Sequence, residues 1–174
     1  RAPSLAQVYY NLRFTNFNSG GSTEVLLSPN NSPITQAFGI NKLNEEKAVN
    51  GSLGVTASFG AFTATVDGYF INVKDRIVLT VYFDATEIDP NVEEAQFFVN
   101  GIDTKTAGVD IVFAWKKKFG DSNFAATLVG NINHMTIGDV KNGTLDKEIF
   151  FGEREKKFLL ASAPANKFGL NLNY

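Results

Sequence analysis

The chain has 174 residues with 16 basic and 18 acidic side chains, one His, one Met and no Cys. This length fits one ordinary domain, and a formal charge of -2 excludes a strongly basic nucleic-acid-binding protein. The lack of cysteine excludes disulfides, thiol catalysis and thiolate metal ligands, and no apolar run approaches the roughly 18–20 residues of a membrane-spanning helix.

Five stretches alternate apolar residues with small or polar ones, the pattern of strands with one apolar face. In the third stretch Val109, Ile111 and Phe113 alternate with Asp110 and Val112. No comparable stripe has helical spacing, so the sequence predicts an all-β chain. In chain order the predicted strands cover about 50–60, 61–83, 95–118, 123–138 and 165–174.

The connections between these strands alternate in length. Those at Gly60-Ala61 and 119–123 are short, whereas those at 15–47, 84–95 and 139–157 are long. Transmembrane β-barrels have short turns at one end, long loops at the other and aromatic girdles at the interfaces. Aromatic residues flank the short turns here: Phe59, Phe62, Trp115, Phe119 and Phe124. A soluble β-sandwich or small barrel has the same alternation, and the pattern alone leaves both folds open.

Few residues suggest chemistry. A His-dependent triad would require His134, which we expect to be structural or exposed, and no nucleotide-binding or nucleophile-elbow motif is present. The carboxylates of 84–94 miss the spacing of a calcium loop, so a solvated loop is expected. Lys116-Lys117-Lys118 is expected to face water, and the mixed charges of 148–157 fit surface contacts around Phe150-Phe151. We predict no catalytic residue, no metal ligand and no cofactor, and ligand-binding residues stay unknown.

Five segments read as motifs that occur in this order in one protein family. They are R-A-P-S-L-A-Q-V-Y at 1–9, L-N-E-E-K-A-V-N at 43–50, G-Y-F-I-N-V-K-D-R-I at 68–77, F-F-V-N-G-I-D-T-K-T-A-G-V-D at 97–110 and A-P-A-N-K-F at 163–168. By these motifs the chain resembles the TonB-dependent outer-membrane receptors, although the second motif lacks the family's usual Pro and Ser. The resemblance spans nearly the whole chain.

This resemblance implies an antiparallel up-and-down meander that is a segment of a roughly 22-stranded transmembrane β-barrel. Residues 1–174 would form a partial barrel of about five strands, a piece of a longer receptor without its plug domain. The long connections near 15–47, 84–95 and 139–157 would be extracellular loops. The implied location is the outer membrane of a Gram-negative bacterium.

The implied function is TonB-energised uptake of a scarce nutrient such as a siderophore, haem, cobalamin or a glycan, and not catalysis. The implied partners are TonB, the receptor's own plug domain, the lipid bilayer and a small-molecule or glycan cargo; nucleic acid is not among them. Two unpaired edge strands predict self-association of the fragment. The main alternative is a soluble all-β ligand- or carbohydrate-binding module, and a third reading is an outer-membrane porin or hydrolase barrel.

The resemblance and a local rule disagree at Asn100-Gly101. Asn-Gly between apolar residues is the strongest short signal for a two-residue hairpin. The matching family segment runs through as one strand, so we predict a continuous strand here. Asn142-Gly143, in a long connection, is the better candidate for a turn.

Overall fold

The structure, a computed structural model, describes residues 1–18, 20–141 and 150–174. It is 60% strand and 12% helix, which confirms the all-β class. The elements in chain order are α1 (Leu5–Tyr9), β1 (Leu12–Asn18), β2 (Gly21–Leu27), α2 (Pro33–Ala37), β3 (Lys47–Phe59), β4 (Phe62–Leu79), β5 (Phe83–Asp84), β6 (Glu94–Gln96), β7 (Phe98–Phe119), β8 (Ser122–Val140), α3 (Glu153–Ala161) and β9 (Asn166–Asn173).

The chain divides into two compact units. Unit 1 comprises Arg1–Ala48, Val73–Thr104 and Ile137–Phe158, and unit 2 comprises Val49–Asn72, Lys105–Thr136 and Leu159–Tyr174. The long connections of the sequence analysis belong largely to unit 1. The two short turns belong to unit 2.

The larger sheet has the strand order β3-β4-β7-β8-β9, so each strand lies beside its neighbour in sequence except for the excursion through β5 and β6. Two tight turns in unit 2 place β3 beside β4 and β7 beside β8. Gly60 and Gly120 have φ of +58° and +59°, a region that glycine enters without a Cβ clash. Across β8 and β9 the pairing is antiparallel, with Leu128 opposite Leu170. The predicted antiparallel meander is confirmed.

Unit 1 contains a second sheet with the order β1-β2-β6-β5. β1 and β2 form an antiparallel hairpin, whereas β2 and β6 are parallel, with Val25 opposite Glu94. This pair is an exception to the antiparallel prediction. It is possible because the connection from β2 to β6 is long enough for the chain to return in the same direction.

A hydrophobic core lies in unit 1. Val25, Ala95, Phe97 and Ile102 are fully buried. The Phe97 ring lies 5.2 Å from the Phe38 ring, centroid to centroid, within the range of favourable aromatic pairs. Segments that the sequence presents as loops therefore have a packed interior.

The connection predicted at 15–47 contains most of β1, all of β2 and α2. Ser32 caps α2, because its hydroxyl accepts a hydrogen bond from the N–H of Thr35. Near the start of the chain, Ser4 and Gln7 form the capping box that begins α1. Alternation of side chains gives no signal for either of these five-residue helices.

β7 runs through Asn100-Gly101 without a turn, which confirms the continuous-strand prediction. The Asn100 side chain explains why the local rule fails. Its amide accepts from the Asn44 N–H at 2.7 Å and donates to the Asn44 carbonyl at 2.9 Å and to the Asp75 carbonyl at 2.7 Å. The predicted turn at Asn142-Gly143 lies outside the described residues.

Candidate functional site

Four aromatic rings cluster beside the two short turns of unit 2. The Trp115 ring stacks on Phe62 at 5.9 Å and meets Phe124 edge-on at 5.5 Å and Phe119 at 6.5 Å, all between centroids. The two turns bring these residues together because Phe62 follows one turn while Phe119 and Phe124 flank the other. We call these four residues the ring cluster.

The ring cluster continues into an exposed apolar face of unit 2. Leu53 is 86% exposed, Phe113 48% and Leu170 66%, although each occupies an apolar position of its strand. A monomeric soluble protein seldom leaves so large a contiguous apolar surface uncovered. Its exposed large members include Val49, Leu53, Val55, Phe59, Phe62, Val66, Phe70, Val109, Phe113, Phe119, Leu128, Ile132, Phe168, Leu170 and Leu172.

The opposite face of unit 2 carries hydrogen-bonded polar side chains. Asn131 on β8 donates to the Asp110 carboxylate at 2.7 Å and to the Tyr69 hydroxyl at 3.1 Å. Tyr69 on β4 reaches β8 across Gly108 on β7, where any Cβ would overlap the Tyr69 hydroxyl. Three strands are thus joined on this face by side chains as well as by backbone hydrogen bonds.

Hydroxyl pairs occupy the same face nearer the first turn. Thr56 pairs with Thr65 at 2.9 Å, and Ser58 pairs with Thr63 at 3.3 Å. Their positions place polar side chains between the apolar positions of β3 and β4, as the alternation predicts. The two faces of unit 2 therefore differ sharply in chemistry.

A partly exposed ion cluster lies in unit 1. The Lys141 ammonium lies 2.5 Å from the Asp75 carboxylate and 2.8 Å from the Asp103 carboxylate. Asp75 has φ of +57°, which is uncommon outside glycine. Its N–H donates to Asp103 at 3.0 Å, and its carbonyl accepts from Asn100. These contacts hold the unusual backbone in place.

The ion cluster shifts the pKa values of its members. Burial raises the pKa of Asp103, but the hydrogen bonds from Lys141 and Asp75 and the Lys141 charge outweigh it, so the pKa lies below its ordinary value. Burial lowers the pKa of Lys141, but its hydrogen bonds to Asp103 and Asp75 outweigh this, and the pKa lies above its ordinary value. Sequence reasoning missed this cluster, although Asp75 and Asp103 lie inside two of the recognised motifs.

The structure also places the residues that the sequence analysis singled out. His134 is exposed, one of the two expected roles, and lies within β8, which spans Ser122–Val140. Lys116, Lys117 and Lys118 are exposed at the end of β7. In the described part of the mixed-charge segment, Glu153 pairs with Lys156 at 2.8 Å, which lowers the pKa of the Glu153 carboxyl.

Part of the acidic segment forms a small polar cleft of about 280 Å³ together with Thr23 and Thr86. Its Asp84 carboxylate accepts from the Thr86 hydroxyl and N–H, which lowers the pKa of Asp84. Among the described residues, no group of three or more His, Cys, Asp or Glu is placed to hold a metal ion.

Two larger concave regions are shallow. One, of about 730 Å³, lies in unit 2 and is lined by residues that include Leu53, Phe70, Val109 and His134. The other, of about 600 Å³, lies in unit 1 beside Arg13 and Asp89. In the part of the chain that the structure describes, no helix is long and apolar enough to cross a membrane.

The comparison with protein families gives one result that covers residues 1–174, the family described as TonB dependent receptor-like, beta-barrel. Neither the curated proteins nor the solved structures gave a match. This family is a transport family of the Gram-negative outer membrane. The family match covers all 174 residues, and a sheet with two different faces and a ring cluster beside its short turns is typical of a transmembrane barrel wall. The chain therefore belongs to the TonB-dependent receptor β-barrel family.

Proposed function

We propose that unit 2 forms part of the wall of an outer-membrane receptor and transporter. The observation that carries this proposal is the exposed apolar face, on which Leu53 and Leu170 are 86% and 66% exposed. Lipid acyl chains would cover these side chains without any further protein layer. The ring cluster would lie at the interface between acyl chains and headgroups, where aromatic girdles are found.

The opposite face of unit 2 would line the interior of the barrel. Many of its side chains carry hydroxyl, amide or carboxylate groups, and Asn131 donates hydrogen bonds to both Tyr69 and Asp110. Such groups suit contact with water or with a plug, because each retains capacity for further hydrogen bonds. We propose that this face meets the receptor's own plug domain.

We further propose that the connections near 15–47, 84–95 and 139–157 face the outside of the cell and contact the cargo. What supports this is their membership of unit 1, which has a packed core around Phe97 and a groove beside Arg13. A folded outer surface can present side chains in fixed positions, which disordered loops cannot do without an entropic cost.

The proposed activity is uptake of a scarce nutrient, a siderophore, haem, cobalamin or a glycan, driven by TonB and not by catalysis at this chain. A barrel of about 22 strands encloses a lumen wide enough for such a cargo once a plug moves. Closure of that barrel would also pair the edges of the larger sheet, since lipid cannot satisfy free backbone groups.

Growth of a deletion strain and of a TonB-deficient strain tests this function. A strain lacking the receptor should lose growth on one of the four nutrient classes when it is the only source, and should regain growth with the intact gene but not in a TonB-deficient background. Normal growth on every class in the deletion strain would contradict the uptake proposal.

The soluble ligand-binding module makes the opposite physical prediction. If the apolar face contacts lipid, the whole receptor should stay with membranes after carbonate washing and require detergent for extraction. A parent protein that is freely soluble without detergent would favour the module. Pairing of two copies through the edge strands stays a prediction, and light scattering of the isolated chain would test it.

A further inference from the structure

We propose that Lys117, beside the ring cluster, binds the headgroup phosphate of an anionic phospholipid. This inference rests on the proposed placement of the apolar face of unit 2 in lipid. Beyond that placement, it names the class of lipid that is bound and the residue that recognises it.

The first support is the side of β7 on which Lys117 lies. Successive side chains of a strand point to opposite faces, so Lys117 shares a face with Trp115 and Phe119, whereas Lys116 and Lys118 belong to the opposite face. The contacts agree: the Trp115 and Phe119 rings touch, and the Lys117 ammonium lies 5.4 Å from the Phe119 ring centroid. The three-lysine run is therefore divided between two environments.

The second support is the lack of an acidic partner. Among the described residues, no carboxylate lies within 4.0 Å of the Lys117 ammonium, which instead makes a cation–π contact with the Phe119 ring. Lys117 is exposed, as is Phe119. The Lys117 charge is thus available to an anion that approaches along the apolar face.

The third support is the combination of aromatic rings and a lysine ammonium at one position on the apolar face. Aromatic rings at a membrane interface lie at headgroup level, and a lysine beside them can bury its methylene stem among acyl chains while its ammonium reaches the phosphates. Each basic residue near an anionic membrane surface contributes about 1 kcal/mol of attraction. A ligand that satisfies both the rings and the ammonium needs an apolar body and an anionic head, which describes an anionic phospholipid.

The test compares two lysines that differ in face but not in charge. The receptor is extracted in neutral detergent and given equimolar phosphatidylglycerol and phosphatidylcholine, and native mass spectrometry measures the ratio of the two bound lipids. Lys117→Gln should lower the preference for phosphatidylglycerol about fivefold. Lys116→Gln removes the same charge from the opposite face and should leave the ratio unchanged, and Lys117→Arg should retain the preference.

Several outcomes would overturn the inference. Equal losses in the Lys117 and Lys116 variants would mean a general charge effect, and no loss in either would mean that Lys117 does not recognise the headgroup. Displacement of phosphatidylglycerol by millimolar inorganic phosphate would mean that the site binds free anions.

Insertion of the wild-type receptor into vesicles of pure phosphatidylcholine tests the proposed function separately. Failure there would count against the lipid-facing surface itself. Insertion without any preference for phosphatidylglycerol would defeat only the Lys117 inference.

Discussion

Leu128 and Val129 offer a direct test of the two faces of unit 2. They are neighbours on β8, both are apolar and each is 44% exposed. Leu128 is paired with Leu170 on the apolar face, whereas Val129 is paired with Gly169 on the opposite face. Replacing either residue by Arg therefore makes the same chemical change at nearly the same place.

The expected loss of stability depends on how deep Leu128 lies in the hydrocarbon layer. It lies four residues along β8 from Phe124 of the ring cluster, which is about 14 Å along the strand at 3.4 Å per residue. With a strand tilt of about 45°, this places Leu128 about 10 Å below the interface. In a hydrocarbon layer about 25–30 Å thick, that position is close to the midplane.

Leu128→Arg should therefore lower the free energy of unfolding in a bilayer by about 2–3 kcal/mol, because a guanidinium near the midplane loses its hydration. This corresponds to roughly a 30- to 140-fold change in the folding equilibrium. Val129→Arg should change it by no more than about 0.5 kcal/mol, since the Arg side chain would enter a polar interior.

The assay is urea unfolding of the receptor in phospholipid vesicles, followed by tryptophan fluorescence. Equal effects of the two substitutions would refute the assignment of lipid and interior faces. So would a larger loss for Val129→Arg than for Leu128→Arg.

Further outcomes follow from other contacts. Gly108→Ala should destabilise the sheet by about 1–3 kcal/mol, because the new methyl group displaces Tyr69, and a Tyr69→Ala background should remove most of that cost in a double-mutant cycle. Phe97→Ala should cost about 3–5 kcal/mol of unfolding free energy by leaving a cavity in the core of unit 1, measured by urea titration. The pKa of Asp103 is lowered, so its ion pairing stabilises the fold above the ordinary carboxyl pKa, and this stability is lost as the pH falls through the lowered value. The pKa of Lys141 is raised, so its ion pairing stabilises the fold below the ordinary ammonium pKa, and this stability is lost as the pH rises through the raised value. Asp103→Asn should flatten both limbs of the stability-against-pH curve, and unchanged limbs would contradict the pairing.

The strands of unit 2 could be predicted from sequence because their signal is local. Alternation along β7, from Val109 to Trp115, depends only on the direction in which successive side chains point. The glycines at 60 and 120 likewise mark turns by their own backbone freedom. The aromatic rings beside those turns indicated the end of the strands at which the ring cluster forms.

Unit 1 could not be predicted in the same way, because its stability comes from pairings distant in sequence. The parallel contact of β2 with β6 and the burial of Phe97 against Phe38 are set by the tertiary fold and leave no periodic pattern. Short helices such as α1 do have a local signal, the Ser4 and Gln7 capping box, which the period-two pattern of strands does not include.

The sequence by itself determined the alternation of the strands, their tight turns and, through its motifs, the family. Only the tertiary structure decided which backbone groups the Asn100 amide binds and that Asp75, Asp103 and Lys141 meet. The physical reason is the range of the interactions. Side-chain direction and turn geometry depend on a few neighbouring residues, whereas the partners of an amide or an ion pair are the groups that folding places within hydrogen-bond distance, often from far along the chain.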